Sequence, residues 1–255
     1  MKKQEKKHIV LKTIAWVILI LLILLWEVSS ANNWINPTIM SSPSRIWNRL
    51  ILVINNGTLM SHVSASLGRV LKGFLIGGGL GLILGLLIGL SKSLEVVANL
   101  FIGILRPIPP IAWIPLLILA LGIGEESKVT VIAIGSFWPM LLDAISGVKS
   151  TDAELLELGK TLEKSRKTII LKVILPSAFP AIFTGARQSI SRAWSCVVTA
   201  EMIAASAGVG YLIQYARELS QPALMFSGVA IIGLIGLLID WITRLLEKKI
   251  IYWNE

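Results

Sequence analysis

Six runs of apolar residues, each close to or beyond the ~20 that cross a bilayer as a helix, take up most of this chain of 255 residues. They cover residues 13–31, 73–91, 96–124, 129–148, 178–203 and 222–242. Hydrophobic residues make up 55% of the sequence and charged residues only 15%, against about 25% charged in an ordinary soluble domain. Such a chain lacks the polar groups to cover a globule, and the pattern predicts an all-α integral membrane protein with six transmembrane helices. The third run is interrupted by Arg106, Pro107, Pro109 and Pro110, which predicts a kinked span, because proline removes a helix donor and clashes with the preceding turn. The fifth run is the most polar, with Arg187, Arg192 and Glu201 inside it.

Six crossings put both termini on one side, and the basic residues choose which. With the N-terminus cytoplasmic, fifteen of the 24 Lys and Arg residues fall in inner segments: five in the tail, Lys92, six between spans four and five, and three at the end. Four (Arg45, Arg49, Lys128 and Arg217) fall outside, and five lie in or at the ends of spans. The net charge of +9 therefore reads as a positive-inside signal in the cell membrane rather than as a nucleic-acid surface. The expected organisation is a cytoplasmic tail (1–12), a first span (13–31), an extracytoplasmic segment (32–64), a five-span core (65–246) containing a cytoplasmic loop (149–177), and a cytoplasmic tail (247–255). The N-terminus also mimics a secretory signal ending at Ser29-Ser30-Ala31, and its cleavage would leave five spans and weaken the charge bias.

Catalytic chemistry has little to work with. Cys196 is the single cysteine, and His8 and His62 are the two histidines, so no metal site is expected. Leu90-Ser91-Lys92-Ser93 lacks the glycine that a phosphate-binding loop places before its lysine. Neither GxSxG nor HExxH occurs. No catalytic residue is assigned, and any pumping energy must come from another chain or from an ion gradient.

Gly73, Gly77, Gly81, Gly85 and Gly89 recur at spacing four in the second span. Small residues at that spacing let helices approach closely in lipid, either within one subunit or at a dimer seam. In the fifth span, Gln188, Arg192, Ser195 and Thr199 share one helix face. An arginine at mid-bilayer costs about 2.5–3.5 kcal/mol on insertion scales, so that face should look into protein or a watery cavity. Arg192 could grip an anion through its guanidinium fork, or form a structural ion pair with Glu201 or Asp143. Trp194 and Glu201 join the candidate pathway residues, with core packing the other reading of Trp194. Asp240 and Arg244, four apart in the sixth span, should pair. Trp26, Trp34, Trp47, Trp241 and Trp253 suit interfacial belts.

The segment between spans four and five is too long and too patterned for a bare hairpin. Leu155, Leu158 and Leu162 give a helix with one apolar stripe, and Ile169, Ile170, Val173 and Ile174 give a second helical pattern that Pro176 should close. This loop resembles the cytoplasmic EAA loop of ABC importer permeases, EAA-x3-G-x9-I-x-L-P. The pattern falls on Glu157, Leu158 and Gly159, then Glu163, then Val173, Leu175 and Pro176. Glu157, Leu175 and Pro176 are identical to it; Leu158 and Gly159 replace the alanines, Glu163 the glycine and Val173 the isoleucine. Arg106-Pro-Ile-Pro-Pro-Ile-Ala-Trp-Ile-Pro115, Leu121-Gly-Ile-Gly124, Ala193-Trp194, Ala200-Glu-Met-Ile-Ala-Ala205, Gly208-Val-Gly210 and Ser42-Pro43-Ser44 are similar to the branch that carries alkanesulfonates, taurine and nitrate.

The resemblance spans the chain from the first helix onward. It implies a type I ABC importer permease fold that works as a homodimer around a central pathway. Two copies of an ATPase subunit, which binds ATP and Mg, would dock on the EAA coupling helices, with Glu157 at the contact. An extracytoplasmic binding protein would deliver a small anion; this chain itself would hold no cofactor. Alkanesulfonate or taurine is the expected solute class, with nitrate, bicarbonate or a pyrimidine precursor on the same architecture as alternatives. A gradient-driven secondary transporter is the rival outside the family; the absence of an internal inverted repeat argues against it.

Overall fold

The computed structural model describes residues 2–36 and 38–250, with side chains from residue 10 onward. His8, the tail lysines Lys2, Lys3, Lys6 and Lys7, and Trp253 lie outside the described side chains. Among the described residues there are helices and no strands. In chain order they are α1 (Lys2–Ala31), α2 (Pro43–Asn55), α3 (Thr58–Gly89), α4 (Lys92–Leu105), a 3-10 turn (Pro110–Trp113), α5 (Ile114–Leu121), α6 (Glu125–Lys149) and α7 (Ala153–Thr161). After α7 come α8 (Arg166–Ile169), a π turn (Ile170–Ile174), α9 (Leu175–Ala204), α10 (Val209–Glu218) and α11 (Pro222–Ile250). Residues 1–60 with 212–231 form one compact unit, and 61–211 with 232–255 form the other.

Five helical stretches are long and apolar enough to cross a membrane, and α4 with α5 makes a sixth candidate bent by 82°. The bend sits where the prolines predict it. Helix packing decides what the bent pair is. The glycine stripe of α3 lies directly on α6: a Cβ at Gly81 would stand 2.6 Å from the Phe137 carbonyl oxygen, and one at Gly85 2.7 Å from Ala144 and Leu141. Gly73 lies against Ile132 and Gly89 against Val148, so α3 and α6 run parallel. The chain between them must therefore return the length of α6 from Val148 back to Glu125, ~35 Å at 1.5 Å per residue. The α4–α5 pair makes that return and is the sixth candidate crossing. The stripe serves packing within one subunit.

Helix α6 is the centre of the second unit. On its other flank it meets α9, again through small residues: Gly135 against Cys196, Gly147 against Ala178 and Ala181, and Gly185 against Asp143 and Met140. This register is antiparallel. Cys196 fills the space beside Gly135, which accounts for it as packing. Ser136 donates to the Gly73 carbonyl at 3.2 Å, satisfying a hydroxyl that lipid would leave without a partner.

Helix α3, which carries the second apolar run, begins at Thr58, and Arg69 stays inside it by being neutralised there. Pro176 does not close the second helical pattern. Residues 166–204 run on as one long stretch, and Pro176 occupies the first turn of α9 behind the π turn. Proline is tolerated there because first-turn N–H groups have no helical acceptor anyway.

In the first unit, Glu27 of α1 accepts hydrogen bonds from the Ser44 backbone N–H at 2.9 Å and its hydroxyl at 2.7 Å, placing a carboxylate at the N-terminus of α2. Val53, Leu212, Ala216 and Leu224 make its core. Trp26 packs edge-on against Phe226 at 5.8 Å as well as standing at the helix end, whereas Trp34 and Trp47 are exposed.

Candidate functional sites

The segment between α6 and α9 forms two short helices with a turn between them. Asp152 caps α7 by accepting from the Glu154 N–H at 2.9 Å, and Ser165 caps α8 by accepting from the Thr168 N–H at 3.2 Å. Leu155, Leu158 and Leu162 are 46–57% exposed. An amphipathic helix whose apolar stripe faces outward is a surface waiting for a partner. Glu157 is exposed on the same helix. Gly159 is buried, and a Cβ there would meet Ile169 at 3.2 Å. Val173 and Leu175 are half-buried and Pro176 is exposed, and Leu171, Leu175, Pro176 and Phe179 border an apolar hollow of about 340 Å³.

Glu163 stands where the resembled pattern has glycine, and its φ is +51°. Its N–H donates to the Lys160 carbonyl at 2.9 Å, and the Lys164 N–H reaches the Gly159 carbonyl at 3.1 Å. That is the Schellman closure, whose left-handed residue is usually glycine. The turn is kept and the glutamate holds a conformation that disfavours side chains. Glu163→Gly should therefore stabilise the loop by about 1 kcal/mol with uptake retained, read as a higher melting temperature. A drop in melting temperature would show that the Glu163 side chain carries its own contact.

The polar face of α9 survives only in part. Gln188, Arg192 and Ser195 are exposed and Thr199 is half-buried. Trp194 is 5% exposed, packs with Val70, Ile132, Ala193 and Val197, and donates its indole N–H to the Ile232 carbonyl at 3.1 Å. It is core. Glu201 is 1% exposed and faces into the protein as well. Neither of the expected partners pairs with Arg192: Asp143 accepts from the Gln188 amide at 3.0 Å, and Glu201 is held by Arg69 at 2.7 Å. Among the described residues Arg192 has no ion pair. Asp240 and Arg244 do pair, at 2.8 Å.

The sequence reading missed the role of Arg69. Its Nε and Nη2 clasp the Glu125 carboxylate at 2.7 Å each, while Nη1 donates to Glu201 at 2.7 Å and to the Ala207 carbonyl. Lys128 adds a second cation to Glu125 at 2.8 Å. Glu201 also accepts from the Ser66 hydroxyl at 2.8 Å and the Gly210 N–H at 2.9 Å. Gly208, with φ +128°, lies against the Glu201 carboxylate so closely that any Cβ would collide with it. The network ties α3, α6, the end of α9 and residues 205–210 together. It is the physical content of the Ala200–Ala205 and Gly208–Gly210 segments.

Comparison with known proteins agrees with the geometry. Residues 77–252 match the family model described as the binding-protein-dependent transport system inner membrane component. The chain is 38% identical to a putative aliphatic sulfonates transport permease protein, SsuC, of Bacillus subtilis, over 92% of this chain and 85% of that one. It is 31% identical to the taurine transport system permease protein TauC of Escherichia coli, over 92% and 88%. Among solved structures, an amino acid ABC transporter chain superposes with a TM-score of 0.65 at 18% identity, over 78% of this chain and 97% of that one; it shares the fold.

Proposed function

This chain belongs to the binding-protein-dependent transport system inner membrane components and is the permease subunit of an ABC importer, and from that premise we propose that it carries a small organic or inorganic anion into the cell. The membrane path is this chain's contribution; ATP hydrolysis belongs to a separate ATPase, and a binding protein delivers the solute. In the proposed assembly two copies of the permease meet two copies of the ATPase, which holds ATP and Mg, while this chain holds no cofactor. Both termini are cytoplasmic, a reading supported by the fifteen-to-four basic bias.

Glu157, Leu158, Gly159, Glu163, Val173, Leu175 and Pro176 form the coupling segment in this reading. The exposed leucines of α7 support this helix as the part that meets the ATPase. Gln188, Arg192, Ser195 and Thr199 face the pathway. The observation that carries the anion is Arg192: an exposed guanidinium on a membrane helix, without an ion pair among the described residues. Alkanesulfonate or taurine is the favoured solute class, on the relatives named above.

Reconstitution tests this. The permease, its ATPase and its binding protein in proteoliposomes should take up taurine, ethanesulfonate or nitrate only with ATP, with both subunits at two copies. The purified permease alone should hydrolyse no ATP. Uptake driven by an ion gradient without ATP would overturn the proposal.

A further inference from the structure

A cavity of about 380 Å³ opens where α3 and α6 meet the bend between α4 and α5. Ile76 and Leu80 of α3, Ile134, Phe137 and Trp138 of α6, and Trp113 of the 3-10 turn stand on its wall. Among the described residues its one hydroxyl, on Thr130, donates to the Glu126 carbonyl at 2.7 Å, so the wall is apolar. Phe137 and Trp138 brace each other edge-on at 5.0 Å. Ile76 and Leu80 are 51% and 53% exposed, so the chain itself does not cover the cavity.

One end of this cavity carries charge. Lys72 precedes Ile76 by one turn on the same face of α3, and Glu126 precedes Thr130 by one turn on α6. Both are exposed, and neither has an ion pair among the described residues. Because the two helices run parallel, both charges lie toward the same end. Gly73 packs on Ile132, which sets Lys72 roughly level with residue 132. That is about six residues deeper than Glu126, ~9 Å at 1.5 Å per residue. A lone ammonium at that depth reaches for the interface, since charge in hydrocarbon is costly, and a helical side chain leans toward the N-terminus of its helix.

We propose that this is a binding site for one aminophospholipid of the surrounding leaflet, with an acyl chain in the cavity, its phosphate on Lys72 and its ammonium on Glu126. The order of charges in depth is that of the lipid, phosphate beneath ammonium. A primary ammonium donates charge-assisted hydrogen bonds to the carboxylate. The glycerol head of phosphatidylglycerol brings no cation to Glu126, and the choline head brings no N–H. The site goes beyond the importer reading and is separate from the solute, because a small oxyanion would give up its water against this wall without new partners.

The permease–ATPase complex, stripped of lipid in detergent, gives the test. In native mass spectrometry and melting titrations, phosphatidylethanolamine should bind wild type about tenfold more tightly than phosphatidylglycerol or phosphatidylcholine, the scale of one hydrogen bond to a charged group. Lys72→Gln should weaken phosphatidylethanolamine about tenfold or more, and Lys72→Arg should keep most of the affinity. Glu126→Gln should lower phosphatidylethanolamine to the level of phosphatidylglycerol and leave phosphatidylglycerol unchanged, a selectivity that a merely structural role would not move. Without lipid, both glutamine variants should melt with wild type; if one does not, Lys72→Arg against wild type still reads the phosphate contact. Phosphatidylethanolamine with brominated acyl chains should quench tryptophan fluorescence less in Trp138→Phe than in wild type. Equal affinity for the three lipids, wild-type affinity in Lys72→Gln, or quenching unchanged in Trp138→Phe overturns the site. Leu80→Cys joined between two permease copies by a short bismaleimide, with no lipid retained, gives this face to a second copy and also overturns it.

Discussion

Arg69→Met should cost the permease about 3–5 kcal/mol of stability, the usual penalty for leaving one member of a buried ion pair without its partner. Glu201 makes the cost large: its side chain is 0% exposed, so no water replaces the lost guanidinium. The Ser66 hydroxyl and Gly210 N–H would still bond it, but neither supplies charge. Glu125 gives the contrast. Its side chain is 59% exposed, so water replaces part of what is lost and Glu125→Gln should cost less than Arg69→Met, although the buried Arg69 and Lys128 each lose a charged partner. The double variant Arg69→Met with Glu201→Leu removes both buried charges and should recover part of the loss. Melting of the purified protein in detergent reads all three. If Arg69→Met melted with wild type, the network would not be what fixes α3 to the end of α9.

How far these features could be read from sequence depends on separation along the chain. The glycine stripe is local, and its period of four announces close packing. Its partner is not local: Ala133, Ser136 and Ala144 in α6 become meaningful only once the parallel register is known. Arg69 and Glu201 lie 132 residues apart, and nothing near either one announces the other. Arg69 and Lys72 bound the apolar run that begins at residue 73, whereas helix α3 extends back through both to Thr58. The face of α9 shows the opposite error, an available signal left unused. Trp194 and Glu201 each follow a face residue, Arg192 and Thr199, by two positions. Two positions turn a helix by about 200°, so periodicity alone puts both on the inward side. Pro176 was misjudged because proline reads as a helix stop, whereas behind a π turn it begins the next helix. Glu163 could be read only through the spacing of the resembled pattern, since its own residue type argues against a left-handed turn.

Glu157→Lys should abolish most transport while leaving the permease itself intact. Helix α7 is capped by Asp152, closed by the turn at Glu163 and seated through Gly159 against Ile169, and none of these uses the Glu157 carboxylate. Its backbone carbonyl accepts from the Thr161 hydroxyl at 3.0 Å, and lysine keeps that carbonyl. Insertion and melting temperature should therefore match wild type. The proposed ATPase contact is another matter. There the proposal puts the Glu157 carboxylate at the docking contact, and reversing a charge at a desolvated contact costs about 2–5 kcal/mol. That is a tenfold or greater loss of ATP-driven uptake. Glu157→Gln, which removes the charge without opposing it, should lose less, and the order wild type, glutamine, lysine should hold in both ATPase retention and uptake. Uptake near the wild-type rate in Glu157→Lys, with the ATPase still bound, would remove Glu157 from the coupling surface and leave the leucine stripe as the whole of the docking contact on α7.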